Sequence, residues 1–205
     1  FREEQYIELI DEKEDFVKLS DESINAFISS CQNEQCSINK SSIIQLQYLA
    51  HKFEYNELIR ITDQIIKDYS EDLIFETLFF KIDEMENKNN NNNSFFDTSK
   101  EEKFISNNLH NFIQKEEMLK LPIPILYRIL TLFYKQQQIK EEIKNDVITF
   151  LFNCLDKYGK PASVLFSIID FEEQKIEVVD RLIENYSDKF DFNLINKTLT
   201  KTVKY

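Results

Sequence analysis

One glycine in 205 residues, Gly159, and three prolines, Pro122, Pro124 and Pro161, leave this chain few means of making tight turns. Sandwiches and barrels need many sharp reversals, and those draw on Gly and Pro for backbone angles that other residues resist. A mostly α chain, built of helical hairpins and a bundle, is the architecture that remains. The apolar supply fits it: 18 Phe and nine Tyr, with no Trp, can fill a substantial core, and 30% charged residues are typical of a globular chain. The length suits one large domain or two small ones.

Periodicity places the elements. QYIELI at 5–10 and DFVKL at 15–19 are rich in β-branched and aromatic residues and read as short N-terminal strands. Ser20-Asp21-Glu22-Ser23 offers cap chemistry to a helix over 24–32, with Ile24, Phe27 and Ile28 as its apolar face and Cys31 one turn on. A turn near Asn33 and a short strand at 36–38 follow. Ser41 or Ser42 is placed to cap the next helix, whose face is Ile43, Leu46, Leu49, Ala50 and Phe53. Asn56 is a favoured N-cap for a helix to Tyr69. In that helix Leu58, Ile59, Ile61, Thr62, Ile65, Ile66 and Tyr69 spread beyond one stripe, which predicts burial on two sides. Ser70-Glu71-Asp72 then caps a helix over 73–85, carrying Leu78, Phe79, Phe80 and Ile82.

NKNNNNNS, inside 87–99, has nothing to bury and reads as a linker or insertion. Helical patterning resumes over 101–115 and, after Pro122 and Pro124, over 125–136. It continues over 139–158, where Gly159 and Pro161 give the expected stop. Helices over 162–169, 172–186 and 192–203 complete the chain, the second with a stripe of Ile176, Val179, Leu182 and Ile183.

The net charge of −12 argues against nucleic acid and against an anionic membrane surface, both of which call for clustered Lys and Arg. No apolar run approaches the ~18–20 residues of a membrane span. Residues 1–34 hold ten carboxylates against Arg2, Lys13 and Lys18. Such a run either forms a solvated face or meets a basic partner. The candidate protein-contact residues are Glu8, Glu12, Glu14 and Asp15 in that run, with His51, Glu54 and Tyr55 on the helices around 43–66.

Catalytic chemistry finds little footing. The sole glycine sits at a helix end, so no loop can cradle a phosphate. Cys31, Cys36 and Cys154 form no CxxC pair, His51 and His110 lie far from them in sequence, and no set of four ligands stands at zinc spacing. His51 and His110 each sit on a helix with no paired nucleophile in view. The expectation is a non-enzyme with no cofactor, no metal and no small-molecule substrate, residing in the cytoplasm.

The segment from Ser20 to Ile66, SDESINAFISSCQNEQCSINKSSIIQLQYLAHKFEYNELIRITDQII, resembles the C-terminal half of a BTB (POZ) domain, with Leu49, Ala50, Phe53, Glu57 and Leu58 carrying the likeness. FISNNLHNFIQKEEMLKLPIPILYRIL resembles the start of a BACK region, the helical segment that commonly follows BTB. Phe104, Ile105, Phe112, Glu116, Glu117, Leu119, Leu121, Pro122, Leu126 and Leu130 stand at the matching places. The resemblance implies the C-terminal part of a BTB-like α+β domain over 1–86, a linker at 87–99 and a BACK-like all-α domain over 100–205, and the Asn, Ile, Lys and Phe bias suggests a divergent form from a protist with an AT-rich genome. The first half of the BTB fold would lie upstream of Phe1 or be degenerate. The function implied is a protein-interaction or scaffold module in a cytoplasmic or cytoskeletal assembly. The alternative is a substrate adaptor of a cullin-type ubiquitin ligase.

Overall fold

The computed structural model describes residues 19–87, 97–136, 139–169 and 176–193, and these are mostly helical, with no strand among them. The chain divides into two compact units, Phe1–Thr98 and Ser99–Tyr205.

The first unit contains α1 (Asp21–Cys31), α2 (Lys40–Lys52), α3 (Asn56–Asp68) and α4 (Ser70–Asn87). α2 is its centre: α1 and α3 pack along it and α4 returns against both α2 and α3. Ala26, Ile43, Ile44, Leu46, Ala50, Leu58 and Leu73 form the core, and Tyr48 meets Leu19 and Phe80 beside it. Polar side chains fix the helix starts. Ser20 caps α1 by accepting from the Ser23 amide at 3.2 Å, and Asn39 caps α2 by accepting from the Ser42 amide at 2.8 Å.

The second unit contains α5 (Ser99–Asn107), α6 (Leu109–Phe112), α7 (Glu116–Lys120), α8 (Ile123–Tyr134), α9 (Glu141–Tyr158), a 3-10 helix (Lys160–Ile168) and α10 (Ile176–Asn185). α8 buries Ile125, Leu126, Ile129, Leu130 and Phe133, and takes α5 on one side and the 3-10 helix on another. Pro124 lies in the first turn of α8, where its missing N–H costs nothing. Gly159 ends α9 at φ 63°, a left-handed angle that the other residues resist. The Arg128 guanidinium donates twice to the buried Glu102 carboxylate, at 2.9 and 2.7 Å, and ties α8 to α5.

Several expectations need correction. The strand expected at 36–38 is irregular and mostly exposed, because no neighbouring strand offers it a ladder. Residues 5–10 and 15–18, expected as strands, lie outside the described residues, as do 172–175 and most of 192–203. Asn39, not Ser41 or Ser42, caps α2, and α3 begins after Tyr55 with no side-chain cap, so Asn56 is not its cap.

The single helix expected over 101–115 is broken at Asn108. Its side-chain amide donates to the Phe104 carbonyl at 2.9 Å, while its backbone amide is shared between the Phe104 and Ile105 carbonyls, both at 3.2 Å. The segment expected as an α-helix over 162–169 is 3-10 instead. Ala162 and Leu165 are three apart, as are Ser163, Phe166 and Ile169, and all five are buried. That period of three matches the eclipsed faces of a 3-10 helix.

The predicted faces also shift. Ile24, Ile28, Phe53, Ile61, Tyr69 and Ile183 are exposed, and α3 buries one stripe, centred on Leu58 and Thr62, rather than two sides.

Candidate functional site

The outward turn of the apolar side chains on α1 has a local cause. α1 presents its smallest residues, Ser23 and Ala26, to α2, and both are buried. The Ser23 hydroxyl donates to the Ser42 carbonyl at 3.2 Å and lies 3.0 Å from Gln45 Oε1. Gln45 Oε1 also accepts from the Ser20 amide at 2.8 Å. Glu22 accepts from the Asn39 backbone and side-chain amides and from the Ser42 hydroxyl. These bonds satisfy the buried polar groups where two helix starts meet, and an isoleucine there would leave them unmade. With α1 held in this rotation, Ile24 and Ile28 face solvent at 38% and 36% exposure, four residues apart on one helix face.

The end of α2 adds to the same surface. Glu54 adopts φ 53°, its amide donates to the His51 carbonyl, and the Tyr55 amide donates to Ala50 at 2.9 Å. This is a left-handed C-cap made without glycine. It leaves Phe53 half-exposed, its ring 5.2 Å from that of the partly buried Phe27. The Tyr55 hydroxyl donates to the Ser30 carbonyl at 3.2 Å and ties the α2–α3 turn to α1. Ile24, Phe27, Ile28 and Phe53 therefore make up the apolar outer face of the α1–α2 layer.

Charged residues of both signs border this layer. Asp21 and Glu22 are in the first turn of α1, its last turn has no basic residue, and Glu34 and Glu54 are exposed beyond the ends of α1 and α2. Lys40, at the start of α2 and paired with Asp72 at 2.6 Å, and His51 and Lys52, in its last turn, are the basic side chains there. Charge divides sharply along the chain. Residues 1–98 carry 21 Asp and Glu against nine Lys and Arg, a formal −12, while residues 99–205 carry 16 of each and are neutral.

Of the residues singled out in the sequence, Glu8, Glu12, Glu14 and Asp15 lie outside the described residues. His51 and Glu54 are exposed and Tyr55 is half-buried, all three at the α2–α3 turn beside Phe53. Sequence reasoning missed Ile24, Ile28 and Phe53 as surface residues because it assigned them to the core. The signal that could have found them is the serine-alanine side of α1, where Ser23, Ala26 and Ser30 recur at helical spacing.

His51 and His110 fall in different units, and both are exposed. Cys31 and Cys36 are exposed free thiols, with partial burial pushing Cys31 up. Cys154 is buried in the second unit, and desolvation pushes its thiol up to about 12. Burial, with Glu141 adding to it, likewise holds the Tyr134 phenol at about 12. Neither group ionises at neutral pH, so neither is primed as a nucleophile or base. Among the described residues no group of three His, Cys, Asp or Glu could hold a metal ion, and no helix is long and apolar enough to cross a membrane. Comparisons with protein-family models, with curated proteins and with solved structures find no match to this chain.

Proposed function

We propose that this chain is a non-catalytic protein-interaction or scaffold module of a cytoplasmic or cytoskeletal assembly, acting through the α1–α2 face of its first unit. One observation carries the reading: Ile24, Phe27, Ile28 and Phe53 share an outer face of a layer whose helix starts are fixed by side-chain caps. A cluster of large apolar side chains held at the surface by a rigid layer is a feature of contact surfaces. The BTB–BACK resemblance of residues 20–66 and 104–130 supports the same class of role. The test compares proteins that co-purify with the tagged intact chain and with its Ile24→Ser, Ile28→Ser double variant. A specific partner lost from the variant, with the helical circular dichroism of the chain unchanged, is the expected result. Recovery of the same partners by both forms would remove this face from the function.

A further inference from the structure

We infer that the partner segment received by the α1–α2 face is a basic amphipathic helix. This rests on the proposed reading of that face as a contact surface and adds the chemistry of what it contacts. Ile24 and Ile28 stand one turn apart, about 6 Å along the axis, with Phe27 and Phe53 beside them. Such a ridge suits a second helix presenting apolar anchors at i, i+3, i+4 and i+7.

Charge selects among helices. Asp21 and Glu22 begin α1, and Glu34 and Glu54 lie beyond the ends of α1 and α2; α1 has no cation, while α2 carries Lys40, paired with Asp72, and His51 and Lys52 just before Glu54. Glu22 is occupied by Asn39 and Ser42, which leaves Asp21, Glu34 and Glu54 as exposed acidic groups around the layer. The carbonyl end of α1 adds a negative partial charge with no basic residue in its last turn. The unit as a whole carries the entire −12. Lys and Arg flanking the apolar anchors of a partner would be drawn to this surface, faster at low salt than at high.

The same charge disfavours two other occupants. A second copy would bring −12 against −12. The N-terminal residues 1–18 carry seven carboxylates against three cations and would meet like charge.

The test uses the intact chain and fluorescein-labelled 18-residue Leu/Lys peptides, one with Leu at helical spacing and one of the same composition with the order scrambled. Fluorescence anisotropy should show the helical peptide binding at least about tenfold tighter than the scrambled one. Ile28→Ser with Phe53→Ser should weaken it by about tenfold or more. Asp21→Asn with Glu54→Gln should weaken it several-fold and flatten its salt dependence, while Ile61→Ser, on α3, should leave it unchanged. Thermal melts establish that each variant is folded.

Equal affinity for the two peptides, or equal binding by the Ile28→Ser, Phe53→Ser variant, would overturn the inference. So would tighter binding after Tyr6, Ile7, Leu9 and Ile10 are replaced by Ser, which would make the N-terminal segment the occupant. A dimer in sedimentation that is lost in Ile28→Ser would assign the face to a second copy. Loss of co-purifying partners from the Ile24→Ser, Ile28→Ser variant, without a preference for the helical peptide, would sink the basic-helix assignment and leave the interaction reading standing.

Discussion

The two units solve the same problem, joining helices, with different materials. In the first, small polar side chains hold helix starts together at close range: Ser20, Ser23, Ser42 and Gln45 between α1 and α2, with Glu22 and Asn39 beside them. In the second, rings do much of the joining. Phe152 meets Phe166 and Tyr186, Phe166 meets Phe190, and α8 buries five aliphatic and aromatic side chains. The consequence shows at the surface. Ile24, Ile28, Phe53, Ile61, Tyr69 and Met85 are exposed in the first unit, against Tyr127, Ile183 and Phe192 among the described residues of the second. On α1 the serine and alanine joint leaves Ile24 and Ile28 outside. The unit that exposes them is also the one that carries the net charge.

The largest effects should come from the cores. Phe166→Ala removes a fully buried ring and should cost about 3–5 kcal/mol, while Leu49→Ala or Leu58→Ala in the first unit should each cost about 2–5 kcal/mol. Ile28→Ala on the exposed face should cost less than about 0.5 kcal/mol. Urea denaturation of the intact chain would measure all four. If Ile28→Ala cost as much as Leu58→Ala, the contrast between a closed core and an offered face would fail.

Where most of the longer helices lie was legible from the sequence, because apolar spacing and the near absence of glycine agree about them. Leu49, Ala50, Leu58 and Leu78 are buried as their periodicity requires. Which way α1 turns was not legible, because apolar spacing alone puts Ile24, Phe27 and Ile28 inward. The winning term is the demand for partners at two adjacent helix starts, and Ser23 meets it only by taking the inward position. The 3-10 geometry of Lys160–Ile168 was not legible, because Val164 and Ile168 blur the period of three that burial reveals, and the break at Asn108 was not legible either. The candidate site was legible only in part: His51, Glu54 and Tyr55 mark its turn, while the apolar residues that give the face its character were assigned to the interior.

A smaller, opposite effect is expected at the turn beside the face. Glu54 holds a left-handed angle that costs a side-chain-bearing residue about 1–2 kcal/mol, a cost glycine avoids. Glu54→Gly should therefore raise stability by about 1 kcal/mol, less the greater freedom glycine has when unfolded. The same change removes an acidic group near Phe53 and should weaken binding of the basic helical peptide. Stability and affinity moving in opposite directions would separate the turn's structural role from its surface role. A Glu54→Gly chain that melts earlier than the parent would refute the strain.

The thiols report on the contrast without any mutation. Cys31 and Cys36 are exposed in the first unit and should react promptly with a thiol reagent, while Cys154 should react only as the second unit opens. The Cys154 thiol is raised to about 12 by burial. Its contribution to stability is thus full below the unfolded-state value, about 8.5, and is lost as pH climbs towards the folded value. Alkylation of Cys154 at neutral pH should track global unfolding, and three equally fast thiols would show the second unit to be as open as the first.

The smallest effect tests an exposed polar joint of the second unit. Asp156 accepts from Lys189 Nζ and from the Tyr186 hydroxyl, both at 2.9 Å. The Lys189 hydrogen bond, then that of Tyr186, holds the Asp156 carboxyl below its usual value, and Asp156 holds the Lys189 ammonium above its own. The two signs differ. Asp156 adds stability that is present above the unfolded carboxyl value, about 3.9, and is lost as pH falls through the lower folded value. Lys189 adds stability that is present below about 10.4 and is lost as pH rises through the higher folded value. Between those limits the joint is intact and its own contribution to the melting temperature should not change with pH. Asp156→Asn keeps a hydrogen-bond acceptor but removes the charge, so it should lower the melting temperature slightly on that plateau and reduce the loss at both ends. Because the joint is solvent-exposed and salt-screened, its effect should stay well below that of Phe166→Ala. A loss as large as that ring deletion would mean that charge, and not aromatic packing, joins α9 to the end of α10.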